Sequence, residues 1–466
     1  MEPQVIGVTE SARSAELIAR MERLPWTRKH TGVFATLVSV TFFDGYDVVM
    51  IGSALPIVSA ALHLSLAQAG VLVSGGNVGA AIGSFVAGTT ADRIGRRTVF
   101  LLACAIMGAF AIVATLQGSI HDLYLARLFQ GIGYGAEVPI AGALINEFVP
   151  HRGRGFTVLV YESAFAWGGV AAPILAQIAI HTTSTAAAWK IMFGFGGLSL
   201  WVLFAWVRLL PESPRWFLLR NQPDKADAVV QQFEGSARKA GKELADPSPE
   251  PAPQTAKTNL FELFSPFYIK RTITNWIMWI AAYSYAYGMS ILLTELYVSV
   301  GGLPIGDALY LTLANGVLQS LLYYACGKIF LRYGRKRPVF LGLLWAGLIL
   351  LLGAIVWGFV GARNWETLFI FSIVAMIGIV PSSCGGYAYT PEQFPTRMRA
   401  WALASCTTWV RGTSAIMPII ITAIATSSLG LAGVWWISAI PLLIGGLWVW
   451  RFGLETKDKV LEEIAP

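Results

Sequence analysis

Two stretches decide the fold: Gly88-Thr-Thr-Ala-Asp92-Arg93-Ile-Gly95-Arg96-Arg97 and Gly327-Lys-Ile-Phe-Leu331-Arg332-Tyr-Gly334-Arg335-Lys336. They lie 239 residues apart, and each is a polar, basic turn that follows a long apolar run. A second pair keeps nearly the same spacing. Glu147-Phe-Val-Pro150-His-Arg152-Gly-Arg154 is matched by Glu392-Gln-Phe-Pro395-Thr-Arg397-Met-Arg399, 245 residues on, and Pro173 and Pro418 share that offset. A chain that repeats its turns in register is built from two copies of one unit.

The copies are made of apolar runs. Of the 466 residues, 55% are apolar and 13% charged, against about 25% charged in a soluble domain. Most runs reach the roughly 20 residues that a membrane-crossing helix needs. They predict spans near 31–61, 68–91, 98–117, 122–148, 155–180, 187–210, 270–299, 305–331, 338–360, 365–389, 401–428 and 431–452. The fold class is therefore an all-α membrane protein, twelve transmembrane helices in two pseudo-symmetric six-helix bundles.

Charge placement supports that count. Of 34 Lys and Arg, all but Arg127, Lys190, Arg363 and Arg411 fall in the arm, the even-numbered loops, the central segment and the tail. Those regions share one side of a twelve-span threading, which makes both termini cytosolic by the positive-inside rule. The net charge of +7 is thus topogenic and implies no nucleic acid. The expected division is a cytosolic arm (1–30, with a short amphipathic helix), a bundle (31–210), a linker (211–269), a second bundle (270–452) and a cytosolic tail (453–466). Asp246-Pro-Ser-Pro-Glu-Pro-Ala-Pro253 makes that linker read as flexible or extended. Residues 1–30 lack the apolar core of a signal peptide. Cys104, Cys326, Cys384 and Cys406 lack metal-ligand spacing and read as small core residues. No metal or cofactor is expected, and no nucleophile–base set suggests an enzyme. Gly131-x-Gly133-x-Gly135 lies inside an apolar span and serves helix packing.

The motifs resemble those of the major facilitators. Gly88-x-x-x-Asp92-Arg93-x-Gly95-Arg96-Arg97 resembles their loop 2–3 signature. Pro211-Glu212-Ser213-Pro214-Arg215-Trp216, Arg127-x-x-x-Gly131-x-Gly133 and Pro391-Glu392-x-Phe394-Pro395-Thr396 resemble the sugar-porter branch. The resemblance implies a gating charge network of Asp92, Arg93, Arg96, Glu147, Arg152, Glu212, Arg215, Glu392 and Arg397, in which Asp92 caps or pairs with neighbouring helix ends. Plain topogenic charge is the alternative. Leu331, standing where Asp92 stands in the first copy, puts the second latch in question.

Ionisable groups inside spans cost about 2.5–3.5 kcal/mol each at mid-helix and so tend to be paired or functional. Gly45-Tyr46-Asp47 resembles the first span of proton-coupled sugar porters, which implies Asp47 as proton site with Arg127 as partner. Asp44-x-x-Asp47 is similar to aromatic-acid/proton symporters, and Asp44 shares a helix face with Asp47. Arg411 has no charged mate in the other half, where Ala166 stands. Its planar fork suits a carboxylate; pairing with Glu295 or Glu162 is the alternative. Glu162 replaces a sugar-binding Gln of the sugar porters.

Ser284-Tyr285 stands where those porters carry a Gln-Gln pair, flanked by Tyr283 and Tyr287, with Tyr285 pointing away from the face those two share. Asn315, Gln319, Tyr387, Tyr46 and Trp167 complete the candidate substrate lining. Overall the chain resembles the bacterial niacin transporters, related to synaptic vesicle protein two and the organic-ion carriers. That resemblance implies a monomeric inner-membrane carrier of a small anionic solute, an aromatic monocarboxylate such as nicotinate, moved with protons by alternating access. Another solute on the same fold (sugar, organic cation or exported drug) and a non-transporting receptor are the competing readings.

Overall fold

The computed structural model describes residues 13–149, 154–247, 260–395 and 398–457. Arg152 and Arg397, the first twelve residues, the proline-rich stretch 248–253 and the end of the tail lie outside them. The first bundle consists of α1 (Arg28–Leu62), α2 (Leu66–Ile94), α3 (Arg96–Thr115), α4 (Ile120–Phe148), α5 (Arg154–Thr182) and α6 (Thr185–Gly196, resumed at Ser199–Trp206). The second consists of α7 (Ile269–Tyr285, a π-turn at Ala286–Ser290, then Ile291–Ser299), α8 (Ile305–Tyr333), α9 (Lys336–Ile355), α10 (Trp365–Glu392), α11 (Arg399–Ala425) and α12 (Gly430–Phe452).

Eleven of these are long and apolar enough to cross a membrane. The twelfth, α8, has the length, 29 residues, but Asp307, Asn315, Gln319 and several tyrosines dilute its apolar content. A helix that turns one face to a polar interior can carry such residues where a lipid-surrounded one cannot.

Local chemistry sets the ends. Ser65 and Gln68 form a capping box at the start of α2, Ser119 caps α4, and Asn364 Oδ1 accepts the Thr367 N–H at 3.1 Å to open α10. These bonds satisfy backbone donors that a helix start leaves free.

Small residues let the helices close on one another. Gly131 and Gly135 lie against the α2 backbone at Gly76 and Ala80, and Gly133 lies against Ala103 and Met107 of α3. The repeat survives at this level. A Cβ on Gly108 of α3 would stand 2.7 Å from Leu200 Cγ of α6, and one on Gly347 of α9 would stand 2.7 Å from Leu443 Cγ of α12. Gly108 and Gly347 are 239 residues apart, the offset of the loop motifs.

The proline-rich stretch expected to be extended lies outside the described residues, but residues 211–247 of the linker fold. Pro214–Leu219 and Pro223–Lys239 are helical, each with proline in its first turn, where the missing N–H costs nothing. Val229, Val230, Phe233 and Ala237 are buried on one stripe of the second of these helices. Val229, Val230 and Phe233 pack in one cluster with Leu17, Met21 and Leu24 of the N-terminal arm, which is helical over 13–22. Phe233 stacks on Phe148 at the end of α4, 5.5 Å between centroids. Arg20 and Arg23 both bind the nearly buried Glu234, each at 2.8 Å. Arm and linker helix therefore dock together on the first bundle.

Candidate functional site

The two bundles meet along α1–α7, α2–α11 and α5–α8. Gly52 of α1 abuts the backbone at Ile291, Gly70 of α2 abuts Pro418 and Thr422 of α11, and Gln177 of α5 donates to the Gly306 carbonyl. Asn77 Nδ2 donates to the Ser414 carbonyl at 2.9 Å, and Trp167 Nε1 to Tyr324 OH at 3.2 Å. The first three contacts lie toward the side away from the termini, the last two deeper in the bundle. Between the bundles, mid-span side chains of facing helices keep exposed surface and wall a central cleft. Glu162 is exposed although it sits two turns into α5, and Trp167 and Tyr387 keep 45% and 43% exposure in mid-span.

Arg411 reaches this cleft from the middle of α11 and is half-buried. Among the described residues its guanidinium makes no hydrogen bond and no ion pair. The charged and polar side chains that act on it through space are Tyr287, Asp44, Tyr134 and Tyr387. Glu162 does not pair with it.

Aromatic rings wall the same space. Trp279, Tyr283 and Tyr287 form a ladder at four-residue spacing on one face of α7, with centroids 5.5 and 5.9 Å apart and planes within 22°. Tyr387 of α10 meets Trp279 edge-on at 4.7 Å. Tyr323 of α8, beside Gln319, adds another phenol near Glu162 and Tyr387. Trp279 itself is buried and donates to Thr390 Oγ1 at 2.9 Å, so Tyr283, Tyr287 and Tyr387 are the rings that can face a flat ligand with π-surface and phenolic OH groups.

Three candidate substrate residues stand elsewhere. Tyr285 is fully buried and its OH points to the Ser372 carbonyl of α10 at 3.4 Å; successive helix positions turn by about 100°, so it leaves the face of its two neighbours. Tyr46 is fully buried and donates to the Met192 carbonyl of α6 at 2.7 Å. Asn315 is buried against α7, its amide 3.5 Å from Tyr297 OH. All three hold helices together.

Asp47 and Arg127 are both buried, but no ion pair joins them among the described residues. Arg127 instead donates to Gln130 Oε1 at 2.8 Å, one turn along α4, and lies 5.7 Å from the Phe193 ring centroid. Asp47 faces Gly196 of α6, and the side chain within hydrogen-bonding reach of it is Gln130. Arg127 acts on it through space only. Asp44, three residues before, is likewise buried, with Oδ1 unpartnered.

The loop residues form two matching clusters. Arg96 pairs with Glu147. Glu212 accepts the backbone N–H of Arg96 at 3.0 Å and of Arg97 at 3.1 Å, where Gly95 takes φ +106° beside its carboxylate. In the second half Arg335 binds Glu392 at 3.0 Å, and Glu455 accepts the Arg335 N–H at 3.0 Å beside Gly334 at φ +83°. Carboxylates at a helix N-terminus are favoured by its exposed N–H groups, and only glycine takes these dihedrals freely beside them. Asp92 sits at the end of α2 beside Arg96. Its side chain is exposed and acts on Arg96 through space, while its carbonyl accepts from Trp216 Nε1 at 3.1 Å and Arg220 at 2.9 Å. Arg93 likewise contributes its carbonyl, to Arg220. Arg215 turns away to Glu22 of the arm at 2.9 Å.

Sequence reasoning missed Gln130, Trp279, Tyr323 and Glu455. The last was legible: Glu212-Ser213 and Glu455-Thr456 lie 243 residues apart, close to the other offsets.

Twelve spans in two matched bundles around a central cleft define a secondary transporter. The model of the family "Sugar (and other) transporter" matches residues 32–466, and the chain belongs to that family of major facilitators. It is a multi-pass membrane transporter and not an enzyme. It is 26% identical to the niacin transporter of Acinetobacter baylyi over 96% of this chain and 99% of that one. It is 25% identical to the arabinose-proton symporter of Bacillus subtilis over 95% and 96%. A gallate transporter of Pseudomonas putida is 31% identical over 57% of this chain and 56% of its own. Among solved structures, a D-xylose-proton symporter superposes with TM-score 0.73 at 16% identity, covering 92% of this chain and 99% of that one. The inward-open xylose transporter of E. coli gives 0.70 at 18%, covering 93% and 99%.

Proposed function

We propose that the protein takes up a small flat monocarboxylate, with nicotinate the first choice, together with protons by alternating access. On this reading it lies in a bacterial inner membrane with both termini cytosolic, and the cleft faces the cytosol. The observation that carries the reading is Arg411: a guanidinium at mid-membrane depth, beside a tyrosine-lined wall, with no protein partner among the described residues. An intramembrane cation without a fixed partner is costly unless a ligand supplies the charge. A carboxylate meets its planar fork with two charge-assisted hydrogen bonds, and the faces of Tyr283, Tyr287 and Tyr387 take the ring. Relatives named for niacin and gallate, both aromatic acids, support the substrate class, and relatives named as proton symporters support the coupling.

A sugar is the second reading, favoured by Gln319 beside the cleft and by the arabinose-proton symporter's full-length match. The test is uptake of labelled nicotinate, with arabinose in parallel, into proteoliposomes holding wild type or Arg411→Ala, with and without an inward proton gradient. Gradient-driven nicotinate uptake that the variant loses is the expected result. Arabinose uptake without nicotinate uptake would replace the substrate, and nicotinate uptake indifferent to the gradient would remove the coupling.

A further inference from the structure

Glu137 has no part in the account so far. It sits on α4 one turn past Gly133, with no solvent exposure. Thr41 of α1 donates to its Oε1 at 3.1 Å, while Oε2 has no partner. Asp44 lies on the same face of α1 as Thr41, also buried, with Oδ1 unpartnered. The groups that face this pair from the packed helices are Asp47 on α1, Cys104 on α3, Tyr134 on α4, Tyr161 and Glu162 on α5, Tyr287 on α7 and Arg411 on α11. The one cation among them is Arg411, and it makes no ion pair with either carboxylate among the described residues.

Two buried carboxylates that act on each other through space, without a direct cation, do not both stay ionised. Each anion costs several kcal/mol to bury, and the second adds repulsion to the first. A shared proton removes both costs and lets the free oxygen of Glu137 act as a donor.

We propose that Glu137 and Asp44 form a second proton-binding site, separate from Asp47, so that two protons accompany each substrate anion. The proposal rests on the proton-coupled reading above. Arg411 provides the link. A carboxylate bound there neutralises the guanidinium, so the pair keeps its proton while the cleft is loaded. When the anion leaves, the bare guanidinium favours ionised Asp44, and the O–H proton passes to cleft water as hydronium. Binding and protonation then favour each other reciprocally.

The first measurement needs no substrate. Infrared spectra of the whole protein in membranes, titrated with pH, report the carbonyl stretch of protonated carboxylic acids. Glu137→Gln should delete one such band and leave the band lost in Asp47→Asn. Asp44→Asn, which removes the partner, should shift the Glu137 band, and so keeps the test open if Glu137→Gln does not fold. The second measurement is the proton-to-nicotinate ratio from reversal potentials in proteoliposomes. It should fall from about two in wild type to about one in Glu137→Gln. Spectra unchanged by Glu137→Gln and Asp44→Asn overturn the proposal, as does a wild-type ratio of about one. A wild type that takes up nicotinate with no proton movement overturns the coupled reading and this proposal together. If nicotinate is not carried at all, only the substrate choice fails. The proton site then stands or falls on the infrared bands.

Discussion

The first bundle and the second share their scaffolding and divide their chemistry. Gly108 on α3 and Gly347 on α9 seat the same kind of leucine at the same offset, and Glu212 and Glu455 close the same kind of turn. Inside the cleft the likeness ends. Asp44, Asp47, Glu137 and Glu162 all belong to the first bundle, whereas Arg411 and the ladder of Trp279, Tyr283 and Tyr287 belong to the second. Where the copies agree, the residues build helices and turns that any carrier of this fold needs. Where they disagree, they set ionisable and aromatic groups inside the membrane. The difference separates scaffold from chemistry without a bound ligand.

Moving the guanidinium across the seam is the strongest way to break this comparison. Arg411→Ala combined with Ala166→Arg keeps one arginine on the pseudo-symmetric position. If position and not mere charge matters, nicotinate uptake stays down about a hundredfold, the worth of two charge-assisted hydrogen bonds at about 1.5 kcal/mol each. Uptake restored by the swap would mean that the bundles are interchangeable at this depth.

The scaffold gives the next largest effect. Gly108→Ala and Gly347→Ala each force a methyl into a packed leucine, at about 1–3 kcal/mol. Thermal melts of the two variants in detergent should shift by matching amounts; a large shift in one alone would show that the two interfaces have diverged. The ladder follows. Tyr287→Ala should raise the KM for nicotinate up to about tenfold, the upper range of one aromatic contact. Tyr285→Phe, which loses a long bond inside the bundle, should leave KM unchanged. Equal KM effects from the two would remove the ladder from the site.

The smallest effect lies outside the membrane. Hydrogen bonds from Arg20 first and Arg23 next hold the Glu234 carboxyl at about 2, below its ordinary 4.5. A depressed folded value stabilises the docked arm above the ordinary value. That stabilisation is present in full above about pH 4.5 and lost as the pH falls toward about 2. Amide exchange of residues 13–22, corrected for intrinsic rate, should lose protection across that window in wild type, and at every pH in Glu234→Gln. Protection indifferent to both would mean that the apolar contacts of Leu17 and Met21 hold the arm alone.

The spans and the repeat were legible because lipid forces long apolar runs and because turn motifs keep their order. α8 was legible although its composition is mixed, since the repeat demanded a helix there. Tyr283 and Tyr287 were placed together by helical period alone. Tyr46 and Asn315 are packed on a carbonyl and a phenol of neighbouring helices, which sequence does not reveal, because a polar group inside a membrane reads alike whether it meets cargo or a neighbouring helix. Asp47 and Arg127 were paired on resemblance, and Gln130, three residues beyond Arg127, was available to take the guanidinium first. The amphipathic stripe of Val229, Val230 and Phe233 was present in the sequence, but the prolines around it drew the reading toward an extended chain.

The docked arm and linker helix carry a practical consequence for optical work. Because Phe233, Glu234 and Arg20 tie 13–22 and Pro223–Lys239 to the first bundle, a dye on the exposed Lys239 travels with that bundle as a rigid pointer. Paired with a second dye on the exposed Arg337 at the start of α9, it would turn each opening and closing of the cleft into a change in energy transfer, with neither label near the cargo.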